Sequence, residues 1–286
     1  MGSERVLRRG TRWPKPQIVF SLAALIGLGC AAQSEKPAVP GSSVSAVEVF
    51  QLAGVDDQVR ALAENLVHAA VTRAEDLAPE TGAALIDAAR AAAAEAPLLE
   101  AAEASFAERS EGSALLEPAE RFLASDLGRR LRAFEEQLDT ELAEDALDSF
   151  IDELFAAPVP IARVRLLERL ALATRGAQIA ADTEAIAARV IARAVARSAG
   201  GTDEALAQEM KRIDRASTRT AATLRAQSTV LMQYVYRDAT DADLADYVAF
   251  AESPEGAWIV EATRRTLAEL EPWIDARMSA AASHPE

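Results

Sequence analysis

One cysteine, two histidines and three lysines are all that 286 residues contain of those types, and each scarcity removes a class of chemistry. A lone cysteine cannot close an internal disulfide or build a multi-thiolate metal site. The histidines are His68 and His284, and neither has a second histidine or a cysteine close by in sequence. A histidine metal cluster and a histidine-assisted nucleophile are therefore not expected. The chain also lacks a glycine-rich phosphate loop, a Gly-x-Ser-x-Gly elbow and a His-Glu-x-x-His helix, so no cofactor is expected. Runs of β-branched and aromatic residues, the mark of strands, are missing, and aromatic residues make up only 5% of the chain. Beyond residue 28 no apolar stretch approaches the ~20 residues of a membrane-spanning helix.

What is present begins with a charged leader. Arg5, Arg8, Arg9, Arg12 and Lys15 face a single acid, Glu4, and an apolar run from Ile18 to Leu28 follows at once. A basic start followed by a short apolar core reads as a cleaved signal peptide, residues 1–29. The run ends in Gly27-Leu28-Gly29-Cys30, which resembles the lipobox of bacterial lipoproteins, where a small residue precedes a cysteine that is acylated before cleavage. Gly27 stands where that pattern prefers leucine. Ordinary secretory cleavage after Ala31 or Ala32 is the alternative. If Cys30 is acylated, residues 30–44, with Pro37, Pro40, Gly41 and several serines, form a tether to the membrane. Ala31 and Ala32 supply no acidic inner-membrane retention signal, so the resemblance implies an outer-membrane lipoprotein facing the periplasm.

Removing residues 1–29 takes away five of the 30 basic and one of the 45 acidic side chains, leaving a net charge of about −19. Such a surface repels nucleic acid, whose binding relies on clustered Lys and Arg. It repels anionic headgroups too, so any membrane association falls to the lipid anchor. Alanine, arginine, leucine and glutamate dominate the body, and all favour helices.

The periodicity bears this out along the chain. Val55, Val59, Leu62 and Leu66 recur at three- and four-residue steps and predict a helix over 47–71. Pro79 and Gly82 interrupt it; further helices are expected over 83–94 and 98–107, then from Pro118 through Phe122 to Leu131, Phe134 and Leu138, and over 142–155. Pro158-Val159-Pro160 is the clearest break and separates a first unit, 45–157, from a second, 161–282. After it come Val164, Leu166, Leu167 and Leu170, a Gly200-Gly201 turn and a long helix over 203–236. Thr240 with Asp243 predicts a capped short helix over 241–251, and Ser253-Pro254 opens the last one. The fold class is all-α, a multi-helix bundle.

The two units share a corner: Phe122-Leu-Ala-Ser125-Asp-Leu-Gly128 and Phe250-Ala-Glu-Ser253-Pro-Glu-Gly256 carry Phe, Ser and Gly at the same spacing. We read them as tandem pseudo-repeats. The stretch from Asp241 through Asp243, Leu244, Tyr247, Phe250, Ser253 and Pro254 to Gly256 resembles the signature of the exported bacterial family catalogued as domain of unknown function 2059. The likeness covers about 240–272, and the first corner departs from it in carrying Asp126 in place of the proline. It implies an exported all-helical protein and transfers no catalytic residue.

The corner offers the clearest candidate binding edge: Tyr247, Phe250, Ser253, Pro254, Gly256 and Trp258, although caps and aromatic staples are ordinary fold chemistry. Tyr234, Tyr236, Tyr247, Trp258 and Trp273 gather in the last third, as core or as the lining of an apolar pocket. Acid pairs such as Glu135 with Glu136, Glu141 with Glu144 and Asp145, and Asp148 with Asp152 are too common in so acidic a chain to single out a catalytic dyad. The leading expectation is a non-enzymatic interaction module of the cell envelope, anchored to the membrane through Cys30 and binding another envelope component. A carrier of a small hydrophobic molecule is the alternative, and an acid/base hydrolase the weakest. An exposed apolar groove, an internal aromatic cavity, or two convergent carboxyls with displaced pKa values in a cleft would respectively distinguish them.

Overall fold

The computed structural model describes residues 45–136, 149–152, 154 and 159–283. The expected signal segment, Cys30 and its tether, Leu138, most of the helix expected over 142–155, and His284 lie outside the described residues. Every regular element among the described residues is an α-helix: α1 (Ala46–Leu52), α2 (Val55–Ala74), α3 (Pro79–Ala92), α4 (Glu95–Ser110), α5 (Leu116–Leu123), α6 (Asp126–Glu136), α7 (Ile161–Thr174), α8 (Gly176–Ala199), α9 (Asp203–Val235), α10 (Asp241–Ala251) and α11 (Pro254–Ser283). The protein is an all-α multi-helix bundle, as its composition and periodicity predict.

Several boundaries follow from local chemistry. Thr240 accepts from the Asp243 amide at 3.1 Å while the Asp243 carboxylate accepts from the Thr240 amide at 3.2 Å, so the two close a reciprocal capping box at the start of α10. Thr202 caps α9 with a single bond, accepting from the Ala205 amide at 3.2 Å. Gly200, at φ 63°, ends α8 in the left-handed conformation that a residue with a Cβ resists. Thr240→Ala should remove the hydroxyl's half of the box, leaving the backbone N–H to Asp243 in place, and lower the unfolding free energy by about 1 kcal/mol, read by urea denaturation.

Other boundaries differ from the periodicity. The helix expected over 47–71 is two helices, because Gly54 takes φ 63° and turns the chain between Leu52 and Val55. Arg132 of α6 stabilises that turn by donating to the carbonyls of Gln51 (2.7 Å), which also accepts from the Gly54 amide, and Leu52 (3.0 Å) at the end of α1. Pro79 starts α3 instead of merely ending α2, and Gly82 lies inside α3, where a Cβ would stand 3.0 Å from the Ala74 carbonyl. The chain breaks again at Arg175, at φ 52°, separating α7 from α8.

The helices of the two halves pack on each other. One core joins Val59, Leu62 and Leu66 of α2 and Phe106 of α4 to Ile186 and Val190 of α8 and to Leu267, Leu270 and Ile274 of α11. A second gathers Leu131 of α6, Leu167 and Leu170 of α7, Leu231 and Val235 of α9, and Leu244 and Val248 of α10. Helix α11 contacts α3, α4, α5, α7, α8 and α10, so the last element closes the core begun by the first ones. Arg189 and Arg193 of α8 hold Glu271 of α11 at 2.7 Å each, and Arg197 meets Asp275 at 3.0 Å, lacing one edge of that contact.

Candidate functional site

The residues of the corner motif are committed to the fold. Ser253 accepts from the Gly256 amide at 3.2 Å, and its own amide donates to the Phe250 carbonyl at 3.0 Å. Ser125 makes the same pair of bonds, with the Gly128 amide and the Phe122 carbonyl, each at 3.0 Å. The two corners meet: the Phe122 and Phe250 rings stack with centroids 3.8 Å apart and planes 8° from parallel. Pro254 begins α11, and Trp258 packs edge-on to Phe106 at 5.9 Å. None of these groups is turned outward as a set; the corner acts as a joint between helices.

The tyrosines form a buried acid–phenol cluster. Tyr236, Tyr247 and Glu135 are all within the core. The Tyr236 hydroxyl bonds closely to Glu135 Oε1, the same oxygen that Tyr247 reaches at 3.2 Å. Burial pushes the Glu135 carboxyl up to about 8, against the pull of the two hydroxyls and of Arg132. Arg132 also influences a second acid, Asp57 at the start of α2, which burial and the neighbouring Asp56 raise to about 7 despite Arg60 and Arg132. Two carboxyls with displaced pKa values thus lie near one arginine, and Glu135 is buried beside the second core with both tyrosine hydroxyls on one of its oxygens. Of the other acid pairs, Glu136 is bound by Arg132, Asp152 is exposed, and Glu141, Glu144, Asp145 and Asp148 lie outside the described residues.

Tyr234, Tyr236 and Tyr247 are core, packed edge to face with Phe150 and with each other, while Trp258 and Trp273 are partly buried against the first core. Among the described residues an apolar opening lies elsewhere. Along the outward side of α2 runs an open groove of about 870 Å³, lined by Ala61, Ala63, Val67, Ala69 and Val71 with Ala93, and edged by Glu64, Asn65, His68 and Glu184. A smaller hollow of about 180 Å³ shares Ala63, Glu64 and Ala93 with it and extends it to Val59, Leu98 and Leu99. The core stripe of α2, from Val55 through Leu66 to Ala70, was evident from periodicity. The groove was not, yet its signal was present: Val67 and Val71 fall outside that stripe, and Val71 is 41% exposed. His68 sits on its edge and belongs to no group of three or more His, Cys, Asp or Glu residues fit to hold a metal ion, among the described residues.

No family model matches the chain, and neither the curated proteins nor the solved structures include one similar to it.

Proposed function

We infer that the protein is an exported, non-enzymatic interaction module of the cell envelope, held to the membrane through an acylated Cys30 and docking a protein partner on the groove along α2. The groove carries this reading. An apolar opening of that size on an otherwise strongly acidic surface marks a place where another molecule is received. The small-molecule carrier is less well supported, since the aromatic residues that would line its pocket are packed against one another. Export and anchoring rest on the basic and apolar leader ending at Cys30.

Two measurements test it. The mature protein purified from its own membrane should carry an acyl mass at Cys30 that the Cys30→Ala variant lacks; an unacylated chain starting after residue 31 or 32 would remove the anchor. A photoreactive side chain at position 71, in the groove, should give a discrete protein adduct in intact cells. The same group at position 172, where Leu172 is 61% exposed on α7, should give none. Equal adducts from both positions, or none from either, would contradict docking on α2.

A further inference from the structure

We propose that the exposed face of α9 is a cationic surface that rests on anionic phospholipid headgroups and so orients the anchored body on its membrane. This rests on the reading of Cys30 as acylated and adds which side of the protein meets the bilayer. Cations elsewhere in the fold are engaged by acids, as Arg163 is by Asp241, Arg189 and Arg193 by Glu271, and Arg264 by Asp182. On α9 they are not. Among the described residues, Lys211, Arg215, Arg219 and Arg225 take part in no ion pair or side-chain hydrogen bond, and all four are exposed. At about 100° per residue they fall within a sector of about 120° and extend over about 21 Å of the helix. The acids interspersed among the basic residues of this helix are taken, Glu209 by Arg212 and Asp214 by Arg189 at 3.4 Å. Glu204 is the next acid on that side, about 10 Å before Lys211.

The overall negative charge suggests the opposite, that headgroups repel the body. That repulsion acts at long range, whereas at physiological salt the Debye length is about 8 Å and a face in contact is governed by its own charges. The spread of the four cations sets the kind of anion. They lie too far apart for a single phosphate to meet them all, so the fit is to an extended array of phosphates. The side chains between them, Thr218, Ala222 and Ala226, include no aromatic on which a base would stack and no large apolar anchor for a protein. The tether selects a membrane among such arrays. Residues 30–44 span at most about 50 Å, which confines an acylated chain to the zone beside the headgroups. At the local concentration that results, a weak attraction suffices to favour one orientation, and a basic patch is the usual complement of an acyl anchor.

The test uses the full mature acylated chain on two kinds of vesicle, phosphatidylcholine alone and phosphatidylcholine with about 30% phosphatidylglycerol. Cys30 is the only cysteine, so once it is acylated an introduced cysteine is the single site for a donor dye, with the acceptor on the headgroups. Ala222→Cys places the dye among the cations. Ala104→Cys places it on α4, which packs on α1, α2 and α11, whereas α9 packs on α7 and α8. On the anionic vesicles, energy transfer from position 222 should be at least about twice that from position 104, and on phosphatidylcholine the two should converge. The difference should vanish at about 0.5 M salt and in Lys211→Gln/Arg215→Gln/Arg219→Gln/Arg225→Gln, whose glutamines keep the helix favourable. It should persist in Arg90→Gln/Arg121→Gln/Arg129→Gln/Arg265→Gln, which removes the same charge from other helices. Equal transfer from both positions on anionic vesicles, with the chain still floating alongside them, refutes the face and leaves the anchor standing. A difference that survives the α9 replacements, or is lost equally in the control set, refutes the role of these cations. If equal transfer is joined by saturable binding of a polyglutamate peptide that the α9 replacements abolish, the face belongs to an acidic protein and the membrane assignment is wrong. A chain that floats with neither vesicle has no anchor, and the orientation falls with it. Circular dichroism unchanged from the parent shows that the replacements leave the helices intact.

Discussion

Replacing Gly256 by alanine should lower the unfolding free energy by about 3 kcal/mol or more, among the largest losses available to a single methyl group in this protein. A Cβ there would stand 2.9 Å from the Ala251 Cα and 3.0 Å from its carbonyl oxygen, and closer still to the carbonyl of Phe250. These are backbone atoms at the end of α10, held by the bonds that Ser253 makes across the corner, so no side-chain rotation can relieve the contact. The corner must open. Opening it moves Phe250, whose ring lies flat on Phe122, and so disturbs the first corner as well. Gly128 is confined in the same way, with a Cβ 2.5 Å from the carbonyls of Phe122 and Leu123. The double replacement should therefore cost less than the two single ones added together, with a coupling of about 1 kcal/mol, because the second corner is already displaced. Gly200→Ala supplies the comparison: it has open space but φ 63°, and backbone strain alone should cost about 1 to 2 kcal/mol. Chemical denaturation of the set decides the matter. Gly256→Ala losing no more than Gly200→Ala would mean that the corner yields easily and is not the joint described.

The contrast between those glycines reflects what a sequence can disclose. Thr240 with Asp243, Ser253 before Pro254, and Gly200-Gly201 were legible because capping and turn chemistry act over three or four residues. The core side of α2 was legible too, since Val55, Val59, Leu62 and Leu66 recur on one face and all are buried. Gly54 carries no local signal of a break, because the apolar period continues through it although the chain turns there. Its turn is stabilised by Arg132, 80 residues beyond Leu52, a contact that no local pattern announces. The shared corner could be aligned by eye, but that its two phenylalanines would stack on each other is a tertiary fact. Glu135 carries the least local signal. In so acidic a chain its neighbour Glu136 made it look like part of a solvated face, and the hydroxyls that surround it come from residues 101 and 112 positions further on.

That buried acid should make the protein lose stability as pH rises through the neutral range, and Glu135→Gln should abolish much of the loss. Its folded-state pKa, about 8, lies above the ordinary value of 4.5 that applies once the chain unfolds. Between those values the folded protein holds a proton that the unfolded chain has released, so each step up in pH favours unfolding. The contribution is complete below about pH 4.5 and disappears as pH passes 8, a difference of up to about 5 kcal/mol for this one group. Asp57, raised to about 7, acts in the same direction. Carboxylates held low by arginines act in the opposite direction. Glu271 is one, lowered by Arg189 and Arg193 against its own burial, but it loses stability only as pH falls below the usual carboxylate range. Measurements from about pH 5.5 to 8.5 therefore isolate the buried acids. Glutamine reproduces the neutral carboxyl in size and can still accept from Tyr236 and Tyr247. Glu135→Gln should thus lie within about 1 kcal/mol of the parent near pH 5 yet exceed it by about 2 kcal/mol or more at pH 8.5. Glu135→Ala would instead lose stability at every pH, by about 2 to 4 kcal/mol, because it leaves a cavity and two buried hydroxyls without their acceptor. A parent protein equally stable at pH 5.5 and 8.5, with a parallel Gln variant, would show that Glu135 is ionised in the fold and that its two tyrosines and Arg132 outweigh its burial.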